Sequence, residues 1–286
     1  MFTYNKQAPL GAGTYSVVYP GEYKAPHGEV TPVAVKVLDA TQLPPALTAN
    51  FKFMQAHRSP FLIKVLGALV TDKGETTYAM PLMQGDLLGR LEASPETLCW
   101  NSKFRILSHL AQAIAYLHEA GYAHRDIKPK NVLLSDEEDA VLADLDGITH
   151  VNPHDEKLAT CEGTRNYLAP ELLTRKAQNK HLMMTDIYSF GLILIEMVID
   201  LPILEVPSMP KLPPNYNNLA PAAAAAAQQE RDTALDAMIT KPAGSSNQYV
   251  MEAQTFAQTS PAYPTEIDSL ITRCVPFEPT PVSYTH

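Results

Sequence analysis

The run His124-Arg125-Asp126-Ile127-Lys128-Pro129-Lys130-Asn131-Val132-Leu133-Leu134 puts a carboxylate, an ammonium and an amide within six residues. Pro129 fixes a backbone angle and removes a donor, which stiffens the turn between them. Val132-Leu133-Leu134 reads as a short buried strand that anchors the loop. Loops held by rigid structure on both sides commonly carry functional side chains. Asp126 can accept a hydroxyl proton, Lys128 can meet negative charge, and Asn131 offers a neutral oxygen to a hard cation. This is equipment for moving a phosphoryl group between oxygens, a reaction in which catalysis is mostly positioning and charge neutralisation.

The elements around these residues are legible from pattern. Leu10-Gly11-Ala12-Gly13-Thr14-Tyr15-Ser16-Val17-Val18-Tyr19 reads as a hairpin whose glycines let backbone amides approach phosphate oxygens. Val33-Ala34-Val35-Lys36-Val37-Leu38 is a strand with a lysine inside it, costly unless that lysine meets an anion. Ala46 to His57 is a helix candidate. Lys103 to His118 has apolar residues at helical spacing and ends near Gly121, a suitable breaker. Thr185 to Met197 reads as a buried helix, and its resemblance to the central helix of the protein kinases implies that Asp186 at its start accepts backbone N–H groups from the His124–Asn131 loop. His109 and His118 read as packing or surface histidines. Pro207 to Pro221 reads as an irregular loop, followed by a helix to Ile239 that starts on a proline and runs through alanines.

Composition narrows the class. The chain has 286 residues, 45% hydrophobic and 19% charged, enough for two lobes around one cleft and too apolar for wholesale disorder. A formal net charge of −9 argues against nucleic acid as the main partner. Three widely spaced cysteines form no disulfide framework or CxxC pattern, which points to a reducing compartment, the cytoplasm. The N-terminus has no apolar signal core. The most apolar run, Phe190 to Val206, is interrupted by Glu196, Asp200 and Pro202 and reads as a core helix, so no membrane span is expected.

The motifs together resemble the eukaryotic-type protein kinases in their serine/threonine form. The resemblance implies an α+β fold with a small β-rich lobe over residues 1–84 and a large, mainly helical lobe over 85–286, divergent after about residue 200. It implies ATP and Mg2+ as cofactors and a protein substrate with a Ser or Thr acceptor. Asp126 and Lys128 would be catalytic, and Asn131 and Asp144 the metal ligands. Leu10, Gly11, Ala12, Gly13 and Ser16 would cover the nucleotide, Lys36 would meet its α- and β-phosphates, and Val18, Ala34 and Leu133 would contact it. Met80 would stand beside the adenine, with the Pro81 carbonyl and the Met83 amide as its hydrogen-bond partners. Residues 147–162 would form the activation loop, closed by Gly163-Thr164-Arg165-Asn166-Tyr167-Leu168-Ala169-Pro170-Glu171. Thr160 would be the phosphorylated threonine and Arg125 its partner.

Four positions depart from the pattern. Ser16 stands for the third glycine of the first loop. The glutamate that kinases place on the helix after the lysine strand falls on Asn50, and no Asp or Glu occurs between Asp39 and Asp72. The usual Asp-Phe-Gly is Asp144-Leu145-Asp146, whose second acid adds charge beside the metal site. Toward the end, the arginine expected to pair with Glu171 is Val282. These departures leave a second reading open, a pseudokinase that binds nucleotide or scaffolds without turnover. On the resemblance, Asn50→Glu is expected to raise activity by restoring a charge partner for Lys36.

Overall fold

The computed structural model describes residues 2–13, 16–38, 47–70, 76–93, 98–240, 242–243, 246–258 and 267–275. The first part is a curled antiparallel sheet. Its strands are β1 (Phe2–Tyr4), β2 (Gly11–Ala12), β3 (Ser16–Lys24), β4 (Val30–Leu38), β5 (Gly67–Val70) and β6 (Thr76–Pro81), with the helix α1 (Leu47–Ala56) between β4 and β5. The strand order is β1-β3-β4-β6-β5, and β2 folds back on β3 with Gly11 opposite Val18. The glycine-rich stretch is therefore a hairpin; Thr14 and Tyr15 lie outside the described residues, as does Ala46.

Strand periodicity decides where the lysine goes. Successive side chains alternate between faces. Val33 and Val35 pack with Phe2 and Ala79 on one face, while Ala34 and Leu38 join the main core on the other. Lys36 shares the parity of Ala34 and Leu38, so the alternation turns it inward.

The second part is mainly helical. It opens with β7 (Gly85–Asp86), α2 (Leu87–Glu92) and the long α3 (Trp100–Glu119). The apolar stripe of α3, Ile106, Leu107, Leu110, Ala113, Ile114 and Leu117, is buried. Gly121 then takes a φ of 81°, which a glycine adopts without cost at a helix end. After β8 (Tyr122–Ala123) the loop over residues 124–131 leads into β9 (Val132–Leu134), which pairs with β10 (Ala140–Leu142) in register Val132↔Leu142. β11 (Thr149–His150) pairs back with β8. Next come α4 (Pro170–Leu173) and α5 (Leu182–Ile199). By length and composition Asn179–Ile199 could cross a membrane, but 72% of that apolar window is buried inside the fold, where α5 is the central helix.

Beyond α5 the chain is irregular from 207 to 215, with a short 3-10 turn at Tyr216–Asn218. α6 (Pro221–Thr240) starts on its proline and runs through the alanines, burying only Leu235 and Ile239. The pair β12 (Pro242–Ala243) and β13 (Ser246–Asn247), then α7 (Gln248–Ala257) and α8 (Ile267–Cys274), complete the described chain. Val282 lies outside it. One core runs from Ala34 and Met80 through α3, β9, β10 and α5 to Ile271 in α8. The two parts are thus lobes on a shared core, the α+β arrangement expected.

Candidate active site

The loop over residues 124–131 is held from outside by one carboxylate. Asp186, near the start of α5 and almost fully buried, accepts the backbone N–H of His124 and of Arg125, each at 2.8 Å. His118 Nε2 lies 2.9 Å from the same carboxylate, so this histidine braces the loop instead of merely packing. Arg125 sits at φ 73°, a conformation that costs a residue with a side chain roughly 1–2 kcal/mol. Its hydrogen bond to Asp186 offsets that cost. His124 turns its ring inward, with Nε2 2.8 Å from the Ala143 carbonyl, next to Asp144.

Within this frame Asp126, Lys128 and Asn131 converge. Lys128 Nζ donates to Asp126 Oδ2 at 2.6 Å, and Asn131 Nδ2 donates to the Asp126 carbonyl at 2.8 Å and to Oδ2 at 3.1 Å. The amide nitrogen of Asn131 is thereby used, which leaves Oδ1 as its acceptor. Thr164 joins from the far side. Its N–H and hydroxyl both reach Asp126 Oδ1, at 2.9 and 2.8 Å, and Lys128 Nζ donates to its Oγ1 at 2.7 Å. Gly163, at φ 115°, makes this approach possible: a Cβ there would stand 2.5 Å from the Arg125 carbonyl.

Asp144 arrives by hairpin geometry. The β9–β10 register brings residue 143 opposite 131, and the Ala143 N–H donates to the Asn131 carbonyl at 2.9 Å. Lys36 reaches Asp144 from the other lobe, Nζ to Oδ1 at 2.5 Å, and also stands 2.6 Å from Asp146 Oδ2. Burial pulls the Lys36 ammonium toward a lower pKa, but Tyr78 and the carboxylates of Asp146 and Asp144 hold it well above its ordinary value. Burial likewise pushes the Asp144 carboxyl up, and the Lys36 ammonium beside it brings it below the usual range. Asn50 does face this site. Its Nδ2 donates to the backbone carbonyls of Asp146 and Ile148, at 2.7 and 2.8 Å.

Of the other residues singled out, strand register ties some directly to Lys36 and its strand. β3 and β4 set Val18 opposite Lys36, and β4 and β6 set Ala34 opposite Met80. Ala34 and Met80 belong to the main core, with Val18 and Leu133 packed against it. Leu10, Gly11, Ala12 and Gly13 are exposed, and Ser16 accepts the Gly13 N–H through its carbonyl at 2.8 Å. Pro81 and Met83 are half-buried where β6 passes into the second lobe.

Comparison with known proteins decides the family: the protein kinase domain model matches residues 4–280. The chain belongs to the protein kinase family. Among similar proteins, CBL-interacting protein kinase 4 of Oryza sativa subsp. japonica is 34% identical over 199 residues, covering 66% of this chain and 42% of its own length. EPD1-interacting receptor-like cytoplasmic serine/threonine-protein kinase 5D of Gossypium barbadense is 32% identical over 201 residues, with 66% and 43% covered. Tyrosine-protein kinase SRK2 of Spongilla lacustris is 32% identical over 195 residues, with 66% and 51% covered. The kinase spans about half or less of the length of these relatives.

The residues fit the cofactors that kinases generally use. Asn131 Oδ1 and the Asp144 carboxylate are hard oxygen donors on adjoining strand ends, suited to Mg2+. Among the described residues no group of three His, Cys, Asp or Glu side chains could hold a metal. A cation here would therefore complete its shell with phosphate and water, as Mg2+ commonly does.

The stretch expected to be the activation loop is held by charge already present. Arg125 Nη1 lies 2.9 Å from Glu162, while Nη2 donates to the carbonyl and hydroxyl of Thr160 at 2.9 and 2.8 Å. The Thr160 hydroxyl donates in turn to Glu162 Oε1 at 2.7 Å. Arg165 anchors the segment's end to Asp236 on α6. Glu162 was not singled out from the sequence, although it lies between Thr160 and Gly163. Nor was Tyr78, whose hydroxyl donates to Asp146 Oδ1 at 2.6 Å. The signal for Tyr78 was its strand parity with Met80, which turns it to the same inner face as Lys36.

Proposed function

We propose that this kinase transfers the γ-phosphoryl group of ATP, with Mg2+, to serine or threonine hydroxyls of proteins. The observation that carries the reading is the Asp126–Lys128–Thr164 cluster, in which one carboxylate, one ammonium and one hydroxyl are mutually bonded at 2.6–2.8 Å. Asp126 is placed to orient an acceptor hydroxyl and take its proton. Lys128 neutralises charge on the oxygens around it, and Asn131 fixes the Asp126 carboxylate through Oδ2. Lys36 meets phosphate, while Asn131 Oδ1 and Asp144 would hold the metal. Mg-ATP supplies the phosphoryl group and part of the charge neutralisation. Lys128 two residues after Asp126, bonded to Thr164, supports Ser/Thr specificity, and the Gossypium relative is named a serine/threonine-protein kinase. The pseudokinase reading rested chiefly on a Lys36 without a second acid, and Asp146 is that acid.

The test is turnover of radiolabelled ATP on mixed protein substrates, followed by phosphoamino-acid analysis. Label is expected on serine and threonine, and Asp126→Asn should lower kcat by about 10²–10⁴-fold. Label on tyrosine alone would overturn the specificity, and equal turnover by wild type and variant would overturn the mechanism.

A further inference from the structure

We propose that Asp146 is the positioning residue that orients Lys36, in place of a glutamate on α1, and that Asn50 has become a neutral clasp on the segment carrying Asp146. The inference rests on the nucleotide-binding role of Lys36 proposed above.

Kinases pair the strand lysine with a helix glutamate, and the pair must be in place for activity. Here the helix position is an amide and the acid stands elsewhere. Asp146 Oδ2 is 2.6 Å from Lys36 Nζ, and Oδ1 accepts the Tyr78 hydroxyl at 2.6 Å. Both carboxylate oxygens are thus engaged, by one cation and one neutral donor. Lys36, Tyr78, Asn50 and Asp146 are all at most 7% exposed. A buried ammonium without an anion is strongly unfavourable, and a buried pair holds only if its remaining polar atoms are satisfied. The two carboxylates at Lys36 differ in kind: the Asp144 side chain is 38% exposed and that of Asp146 is 9% exposed. Asp146 is the fixed partner behind the lysine, and Asp144 is the one open toward the cleft.

Asn50 explains why the helix carries no acid. Its amide donates to two backbone carbonyls, those of Asp146 and Ile148. A glutamate there would bring a second carboxylate against those carbonyls and Asp146, with no proton to donate. Substituting Asn for Glu on α1 and Asp for Gly after Leu145 conserves the number of carboxylates around Lys36 while moving one of them. The expectation that Asn50→Glu raises activity is therefore reversed. A regulatory consequence follows. Lys36 and Asp146 are linked without α1, so displacing α1 would break the Asn50 contacts and leave the ion pair standing. Turning the 144–147 segment over would break the contacts of Asp146 with Lys36, Tyr78 and Asn50 together.

The test compares wild type, Asp146→Asn, Asn50→Glu, Lys36→Ala, the Asp146→Asn/Lys36→Ala pair and the exchange Asn50→Glu/Asp146→Gly. Each is read by equilibrium affinity for a fluorescent ATP analogue with Mg2+, by kcat and KM for ATP, and by the melting midpoint without nucleotide. Asp146→Asn and Asn50→Glu should each weaken nucleotide affinity by about tenfold or more, in line with loss of one charge-assisted contact. Asp146→Asn should add little to Lys36→Ala, because it acts through Lys36. The exchange should recover most of the loss. Wild-type affinity in Asp146→Asn, losses that multiply with Lys36→Ala, or an exchange variant no better than Asn50→Glu would each overturn the proposal. If Asp146→Asn fails to fold, the exchange variant decides: recovery of fold and nucleotide affinity supports the proposal, and failure of either overturns it. Should wild type bind nucleotide without transferring phosphate, the kinase reading fails while the affinity arm still judges Asp146.

Discussion

The two charged clusters of the cleft are built in opposite ways. Asp126, Lys128 and Asn131 come from one short loop, and the contacts among them span at most five residues. The Lys36 cluster draws on β4, α1, β6 and the segment after β10, joining residues at least 68 apart in sequence. The first cluster depends on one turn being held in shape. The second depends on lobe packing, so its chemistry can be redistributed among positions that share a space. A glutamate can leave α1 if an aspartate enters from the other side. The local cluster has no such freedom, because its spacing is its geometry.

The largest expected effect tests whether the two clusters are separable. Asp186→Asn replaces a buried acceptor of two backbone N–H groups with a group that also donates. Removing such a partner should cost about 3–5 kcal/mol of stability and lower kcat, while nucleotide affinity at Lys36 falls much less. Denaturant melts and nucleotide titration of the same protein would check this, and equal losses in both readouts would show the clusters to be coupled.

A smaller effect distinguishes buried acids with and without a cation. Glu196 is fully buried on α5, accepts from Tyr167 and the Ile203 N–H, and has Oε2 without a partner among the described residues, beside Tyr249. Burial pushes its carboxyl up to about 7. The folded state therefore holds this proton more tightly than the unfolded chain. The stability it contributes is fully present below about pH 4.5 and is lost as pH rises through about 7. Melting curves of wild type and Glu196→Gln should diverge across that window, with wild type losing several degrees relative to the variant between pH 5 and pH 8. Parallel curves would mean that Glu196 ionises as it does in the unfolded chain.

The smallest effect concerns Arg125, whose side chain reaches Thr160 and Glu162. Glu162 already supplies its anion, so Thr160→Ala should change kcat/KM by less than about fivefold, the most that an exposed contact near 1 kcal/mol can give. Glu162→Gln should change it more. A large loss in Thr160→Ala, with phosphate found on Thr160 in wild type by mass spectrometry, would reverse that order and make the threonine the control point.

Sequence alone determined most of the frame. The 3.6-residue stripe of α3, the apolar run of α5, the proline start of α6 and the period-two strand holding Lys36 each follow from local pattern, because burial of one face is written into residue order. The catalytic loop was legible for the same reason: Asp126, Lys128 and Asn131 are neighbours in the chain as well as in space. Asp186 as its brace was expected from the resemblance to the kinases, but the share of His118 in that brace was not, since it is fixed by the packing of α3 on α5. The partner of Lys36 was settled by tertiary structure. Position counting along the helix leads to Asn50 and stops there, because electrostatic pairing depends on distance in space and carries no memory of which segment supplies the charge. Only the packing of β4, β6 and α1 around the residue 144–147 turn brings Asp146 to Lys36 and gives Asn50 two carbonyls to hold.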